Sequence, residues 1–143
     1  MPTFDEIATF VCKYAGTRRS HVTEATSLQD VGLYGDDLGY LMLEYSKRFA
    51  VNLDSYIWYF HTCEEGFSPG GLFFRSPDMR VKRIPITIGM LYEFAQAGRW
   101  DVQYPAHSVP RWRLDVLVDL IVALGLLSIV VCGVIAAAIR GCE

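Results

Sequence analysis

The sequence predicts an all-α protein in which a small bundle of helices is followed by one C-terminal membrane-spanning helix. Three stretches carry this expectation. Leu38, Leu41, Met42, Tyr45 and Phe49 recur at i, i+3, i+4, i+7 and i+11, the spacing that gathers side chains on one face of a helix. Thr3-Phe4-Asp5-Glu6 has the capping-box form that opens a helix. Leu120 to Ile139 carries no charge, and about 20 such residues suffice to cross the hydrocarbon core.

Taken in order, helix one runs from Phe4 with Ile7, Val11, Tyr14 and Ala15 at helical spacing, and Gly16 supplies the left-handed residue that ends it. Thr17 to Asp30 is polar and reads as a long loop. In the second helix Asp36 and Asp37 occupy the first turn, where carboxylates meet free backbone N–H groups and the positive end of the helix dipole. Asp54 is positioned to cap a short third helix, Ser55 to Phe60, whose Tyr56, Trp58, Tyr59 and Phe60 serve either a small core or a partner surface. Ser68-Pro69-Gly70-Gly71 and Ser76-Pro77-Asp78 are turn signals flanking two short runs, 72–74 and 80–84, which suggest a hairpin-like insertion. Thr87 caps a last helix bearing Ile88, Leu91, Phe94 and Ala95 on one face, and Gly98 stops it. The expected organisation is a domain over 1–100, an extended linker over 101–113, a transmembrane helix over 114–140 and a short tail over 141–143.

The turn that feeds helix two resembles the acyl carrier proteins, whose D-L-G-x-D-S-L motif places a phosphopantetheine-bearing serine at a helix start. A gapless match sets Asp30, Val31, Gly32 and Leu33 on D-L-G-x, Tyr34 on the aspartate, Gly35 on the serine and Asp36 on the leucine. The attachment hydroxyl is missing. A fuller resemblance is to the DUF1493 family of short bacterial proteins, an acyl-carrier-like domain of unknown function. Thr26 to Leu28, Val31 to Leu33, Gly35 to Asp37, Phe49 to Leu53 and Ala95 to Trp100 match its motifs in order, over roughly Thr3 to Trp100. The resemblance implies an acyl-carrier-like four-helix bundle and names no activity.

Chemistry follows the residues. Gly35 offers no nucleophile, and Ser20, Ser27, Ser46 and Ser55 lie away from the turn, so no prosthetic group is expected. Asp36 and Asp37 point about 100° apart on a helix and do not form an acid–base pair. With Asp30 and Glu44 they instead make an acidic strip, interrupted by Lys47 and Arg48, of the kind that carrier partners read. His61, Cys63, Glu64 and Glu65 are metal-ligand types without a second pair at usable spacing, so no metal is expected. No catalytic residue stands out, and the expected function is a non-catalytic docking or adaptor module. Alternatives are an acyl or lipid carrier or binder primed at another residue, and a membrane-acting regulatory or immunity-type protein.

Charge is uneven. Residues 1–65 hold ten acids and five bases, whereas 66–100 hold two acids and five bases. Phe73, Phe74, Arg75, Arg80, Lys82 and Arg83 form a basic, aromatic island suited to anionic headgroups, and a net charge of −3 argues against nucleic acid. The chain opens without a basic region followed by an apolar core, so no secretory signal is expected. Arg99, Arg111 and Arg113 precede the span and Arg140 follows it, which favours a tail anchor in the bacterial inner membrane with the N-terminal domain in the cytoplasm. Gly125, Ser128, Cys132 and Gly133 bring small residues onto the span, a pattern that permits helix–helix association and thus a homo-oligomer. Asp119 is expected to snorkel or to pair across such a dimer. Cys12, Cys63, Cys132 and Cys142 show no C-x-x-C spacing, so neither a disulfide framework nor a zinc site is indicated.

Overall fold

A computed structural model describes residues 1–110 and 112–140. The chain is mostly helical, with no strand among the described residues. Arg111, counted above toward orientation, and the tail with Cys142 lie outside the described residues. The chain divides into two compact units, one made of 1–65 and 77–107, the other of 66–76 and 108–143.

The first unit holds α1 (Phe4–Ala15), α2 (Gly35–Phe49) and α3 (Ile88–Ala97). Helix α1 begins as its sequence requires: Thr3 N donates to Glu6 Oε2 at 2.7 Å while Glu6 N donates back to Thr3 Oγ1 at 3.3 Å. It ends at Gly16, whose φ of 63° is the left-handed C-cap. Its buried face is Ile7, Ala8, Phe10, Val11 and Cys12, whereas Tyr14, expected inside, is exposed. Helix α2 buries Leu38, Leu41, Met42 and Tyr45 as its periodicity demands, with Phe49 partly covered at the edge. Thr87 Oγ1 accepts from Met90 N at the start of α3, which buries Ile88, Leu91 and Ala95 before Gly98 ends it. Aromatic contacts join the aliphatic packing between helices. Phe10 meets Phe49 edge-on, Phe4 meets Tyr92, and Tyr45 donates its hydroxyl proton to Leu91 O.

Two short main-chain pairings close this unit. Leu28 N donates to Ile86 O at 2.8 Å and Ile88 N to Thr26 O at 3.0 Å. Asn52 N donates to Gly98 O at 2.9 Å and Trp100 N to Asn52 O at 2.8 Å. Segments far apart in sequence therefore satisfy each other's backbone groups, around a core that includes Trp100, Tyr45 and Phe60.

Two sequence expectations are corrected here. The third helix is reduced to a single 3-10 turn at Trp58–Phe60. Asp54 fails to cap it because its own N–H donates to Asn52 Oδ1 and its carboxylate accepts from Asn52 Nδ2, a local turn that competes with a helix start. The hairpin does not form either. Gly70–Leu72 and Pro77–Arg80 are 3-10 turns, and Phe73 N and Phe74 N both donate back to Gly70 O, which takes the donors that a strand would use.

The second unit contains α4 (Leu114–Arg140), a helix long and apolar enough to cross a membrane, with a mean hydropathy of 2.9 and no part of its apolar window buried. The 66–76 segment packs on its first turns. Asp119 accepts from Ser68 Oγ and from Gly70 N, each at 2.7 Å. Asp119 is thus held by hydrogen bonds of its own unit.

Candidate functional site

On the first unit, the N-terminal half of α2 and the 58–64 segment enclose an open groove of about 450 Å³, lined by Gly35, Asp36, Gly39, Tyr40, Leu43, Trp58, Thr62, Cys63 and Glu64. The geometry follows from the helix itself. Core positions 38, 41, 42 and 45 turn inward, so 36, 40 and 43 share a different face. Tyr40 is 66% exposed and Leu43 52%. Large apolar side chains at the mouth of a groove are left without a partner. Gly39 keeps the wall low, since a Cβ there would meet nothing within 4 Å.

Gly35 is different. Its φ is 43°, and a Cβ built on it would stand 2.1 Å from Glu65 Cδ and Oε1. The place where a side chain at position 35 would project is taken by the Glu65 side chain.

Asp36 and Asp37 lie exposed in the first turn of α2, with Asp36 on the groove rim. Asp30 is committed elsewhere. Asp30 N donates to Ser27 Oγ, its carboxylate accepts from Ser27 N at 2.9 Å, and the backbone N–H and hydroxyl of Ser27 hold its carboxyl below the usual range. Glu44 pairs with Lys47 at 2.9 Å. The four acids of the expected strip therefore divide into Asp36 at the groove, Asp37 exposed beside it in the first turn, and two with local duties.

The motifs that the sequence matched in order are the ones that meet in space. Thr26 to Leu28 pairs with the start of α3, and Val51 to Leu53 pairs with Gly98 to Trp100. The model of a family described as "Protein of unknown function (DUF1493)" matches residues 4–103. The chain belongs to the DUF1493 family. Searches of curated proteins and of solved structures found no match.

In this DUF1493 domain His61 sits apart from Cys63 and Glu64 in role. It is buried, with Nδ1 2.8 Å from Ile84 O and Nε2 2.8 Å from the Tyr104 hydroxyl. That hydroxyl also accepts from Trp100 Nε1 at 2.8 Å and from Ile57 N at 3.1 Å. With both acceptor sites used, it donates to Nε2, which makes the neutral Nδ1–H tautomer the one that satisfies every group. Burial pushes the His61 pKa down. The network ties 101–107, read above as a free linker, into the domain.

The basic island is shared between the two units: Phe73, Phe74 and Arg75 belong to the second, Arg80, Lys82 and Arg83 to the first. All six are exposed. Along α4, Gly125 and Gly133 have open space where a Cβ would stand, Cys132 is exposed, and Ser128 Oγ donates to Leu124 O of its own helix. The sequence reasoning missed the groove itself. The signal available was that Tyr40 and Leu43 lie off the core face of an otherwise well-patterned helix.

Proposed function

We propose that the chain is a membrane-tethered, non-catalytic docking module with an acyl-carrier-like bundle and no prosthetic group. The observation that carries this is exposed Tyr40 and Leu43 beside Asp36 around the groove mouth, with exposed Asp37 next to it in the first turn of α2. Such a surface suits a protein segment that offers basic residues to the rim and an apolar side chain to the groove. The backbone at Gly35 supports the absence of an arm, because its φ of 43° disfavours a serine there and the Glu65 side chain lies over the position. Helix α4 supports the tether, and its exposed small residues are compatible with self-association in the bilayer; the orientation proposed with it, from Arg99 and Arg113 before the span against Arg140 after it, keeps the domain in the bacterial cytoplasm.

The test is reversal of the rim charge. Asp36→Lys with Asp37→Lys should abolish partner capture while far-UV circular dichroism stays unchanged and the unfolding midpoint falls only modestly, since both side chains are exposed outside the core and give up only first-turn dipole stabilisation of about 0.3–1 kcal/mol each. Capture unaffected by the double substitution would contradict the proposal.

A second reading, an acyl-chain binder, is favoured by one feature, the apolar lining that Leu43 and Trp58 give the groove. Intact mass after co-expression with a broad phosphopantetheinyl transferase, together with organic extraction of the purified protein, separates the two. The docking reading expects an unmodified mass and no stoichiometric acyl chain.

A further inference from the structure

We infer that the segment 66–76 is an interfacial collar that clamps onto the first turns of α4 and rests on the headgroup–acyl boundary of the bilayer. This rests on the membrane-tethered reading above and adds to it a second lipid-contacting element.

Depth is the first argument. The uncharged run from Leu120 to Ile139 spans about 30 Å at 1.5 Å per residue, the thickness of the hydrocarbon core. Asp119 and Asp115 then stand at and just outside its edge. The collar is fixed at that level. Ser68 Oγ and Gly70 N grip the two oxygens of Asp119, and Gly71 N donates to Ser68 Oγ at 2.8 Å to close the turn. Gly70 lies so close to the helix that a Cβ would stand 2.0 Å from Asp115 O, so only glycine permits this approach. Asp115 itself is forked by Arg113, with Nη2 2.6 Å from Oδ2. Both carboxylates at the edge thus have donors, which is what a charge beside hydrocarbon requires.

The second argument is what the collar exposes. Phe67 is 87% exposed, Leu72 76% and Phe73 78%, and Trp112, just before the helix, is 78% exposed. A clamp of hydrogen bonds and a glycine contact holds these apolar groups beside a helix that is itself bare of protein cover. Their occupant is lipid, because the collar is continuous with an apolar helix surface fit for hydrocarbon, and aromatic side chains favour the interface.

The full chain, reconstituted in vesicles of phosphatidylcholine and phosphatidylglycerol, carries p-benzoylphenylalanine in place of Phe73, of Leu124 or of Lys13, and is photolysed. Lipid adducts are expected at 73 and 124 and not at 13, with a several-fold loss at 73 alone when Asp119→Ala removes the clamp. Adducts at 124 without any at 73 overturn the collar and leave the tether standing. No adduct at 124 overturns the tether and the collar together. A protein–protein adduct of twice the chain mass at 73 overturns lipid as the occupant, and labelling at 73 that ignores Asp119→Ala overturns the clamp.

Discussion

At position 35 two constraints coincide, a φ of 43° and Glu65 atoms 2.1 Å from where a Cβ would stand. The side chain of Glu65 can swing away, but the backbone angle remains, and a left-handed conformation costs a non-glycine residue roughly 1–2 kcal/mol. Gly35→Ser is therefore expected to lower unfolding stability by about that amount. Gly39 provides the contrast. It sits inside α2 with a negative φ and nothing within 4 Å of a built Cβ, so Gly39→Ala should stabilise by roughly 0.5–1 kcal/mol through reduced chain entropy. Denaturant unfolding of the two variants checks the opposite signs; equal effects would mean that the conformation at 35 is not what constrains it. That position 35 lacks a side chain was legible in the sequence, whereas the side chain lying over it was not, because Glu65 reaches Gly35 only through tertiary structure.

Among the elements, those with strong local signals formed as the sequence implied. Leu38, Leu41, Met42 and Tyr45 declare α2 by period, and Thr3 with Glu6 declares the start of α1 by its cap. Elements without such a signal were misread. Asn52 diverts Asp54 from capping, and Gly70 O collects the donors of Phe73 and Phe74, so neither a third helix nor a hairpin results. Tyr104 lies in a proline-bounded stretch with no periodicity, yet its hydroxyl serves Trp100, Ile57 and His61 at once. Tyr104→Phe strands three buried groups and should cost about 2–4 kcal/mol by the usual penalty for unmet hydrogen bonds.

The same network sets a pH dependence. His61 has a folded pKa below its ordinary 6.5 through burial, against which its bond to Ile84 O acts weakly in the opposite sense. The unfolded chain binds the proton first, so the stability from neutral His61 is fully present above 6.5 and is lost as pH falls through the lowered folded value. Protonation also places an Nε2–H against a hydroxyl whose acceptor sites are taken. Unfolding midpoints should therefore drop on acidification below 6.5, and a flat midpoint across that range would remove His61 from the account.

For the whole molecule, the sequence made the helical domain, the apolar helix and the family legible, since each rests on composition or on motifs in linear order. It did not reveal the division of the chain, in which the turn-rich segment after Glu65 joins the apolar helix and residues 101–107 of the supposed linker join the domain. Those assignments depend on Asp119 meeting Ser68 and on Tyr104 meeting His61, pairs separated by 51 and 43 residues. The proposed function joins the two units by purpose: one holds the chain at a bilayer and the other presents the groove on α2.

The most direct test of that claim places p-benzoylphenylalanine at position 43 of the full chain in native membranes and follows its adducts on photolysis. The account predicts a discrete protein adduct of defined mass that disappears when Asp36→Lys and Asp37→Lys are introduced. Adducts to lipid alone, or a protein adduct indifferent to those two substitutions, would contradict it.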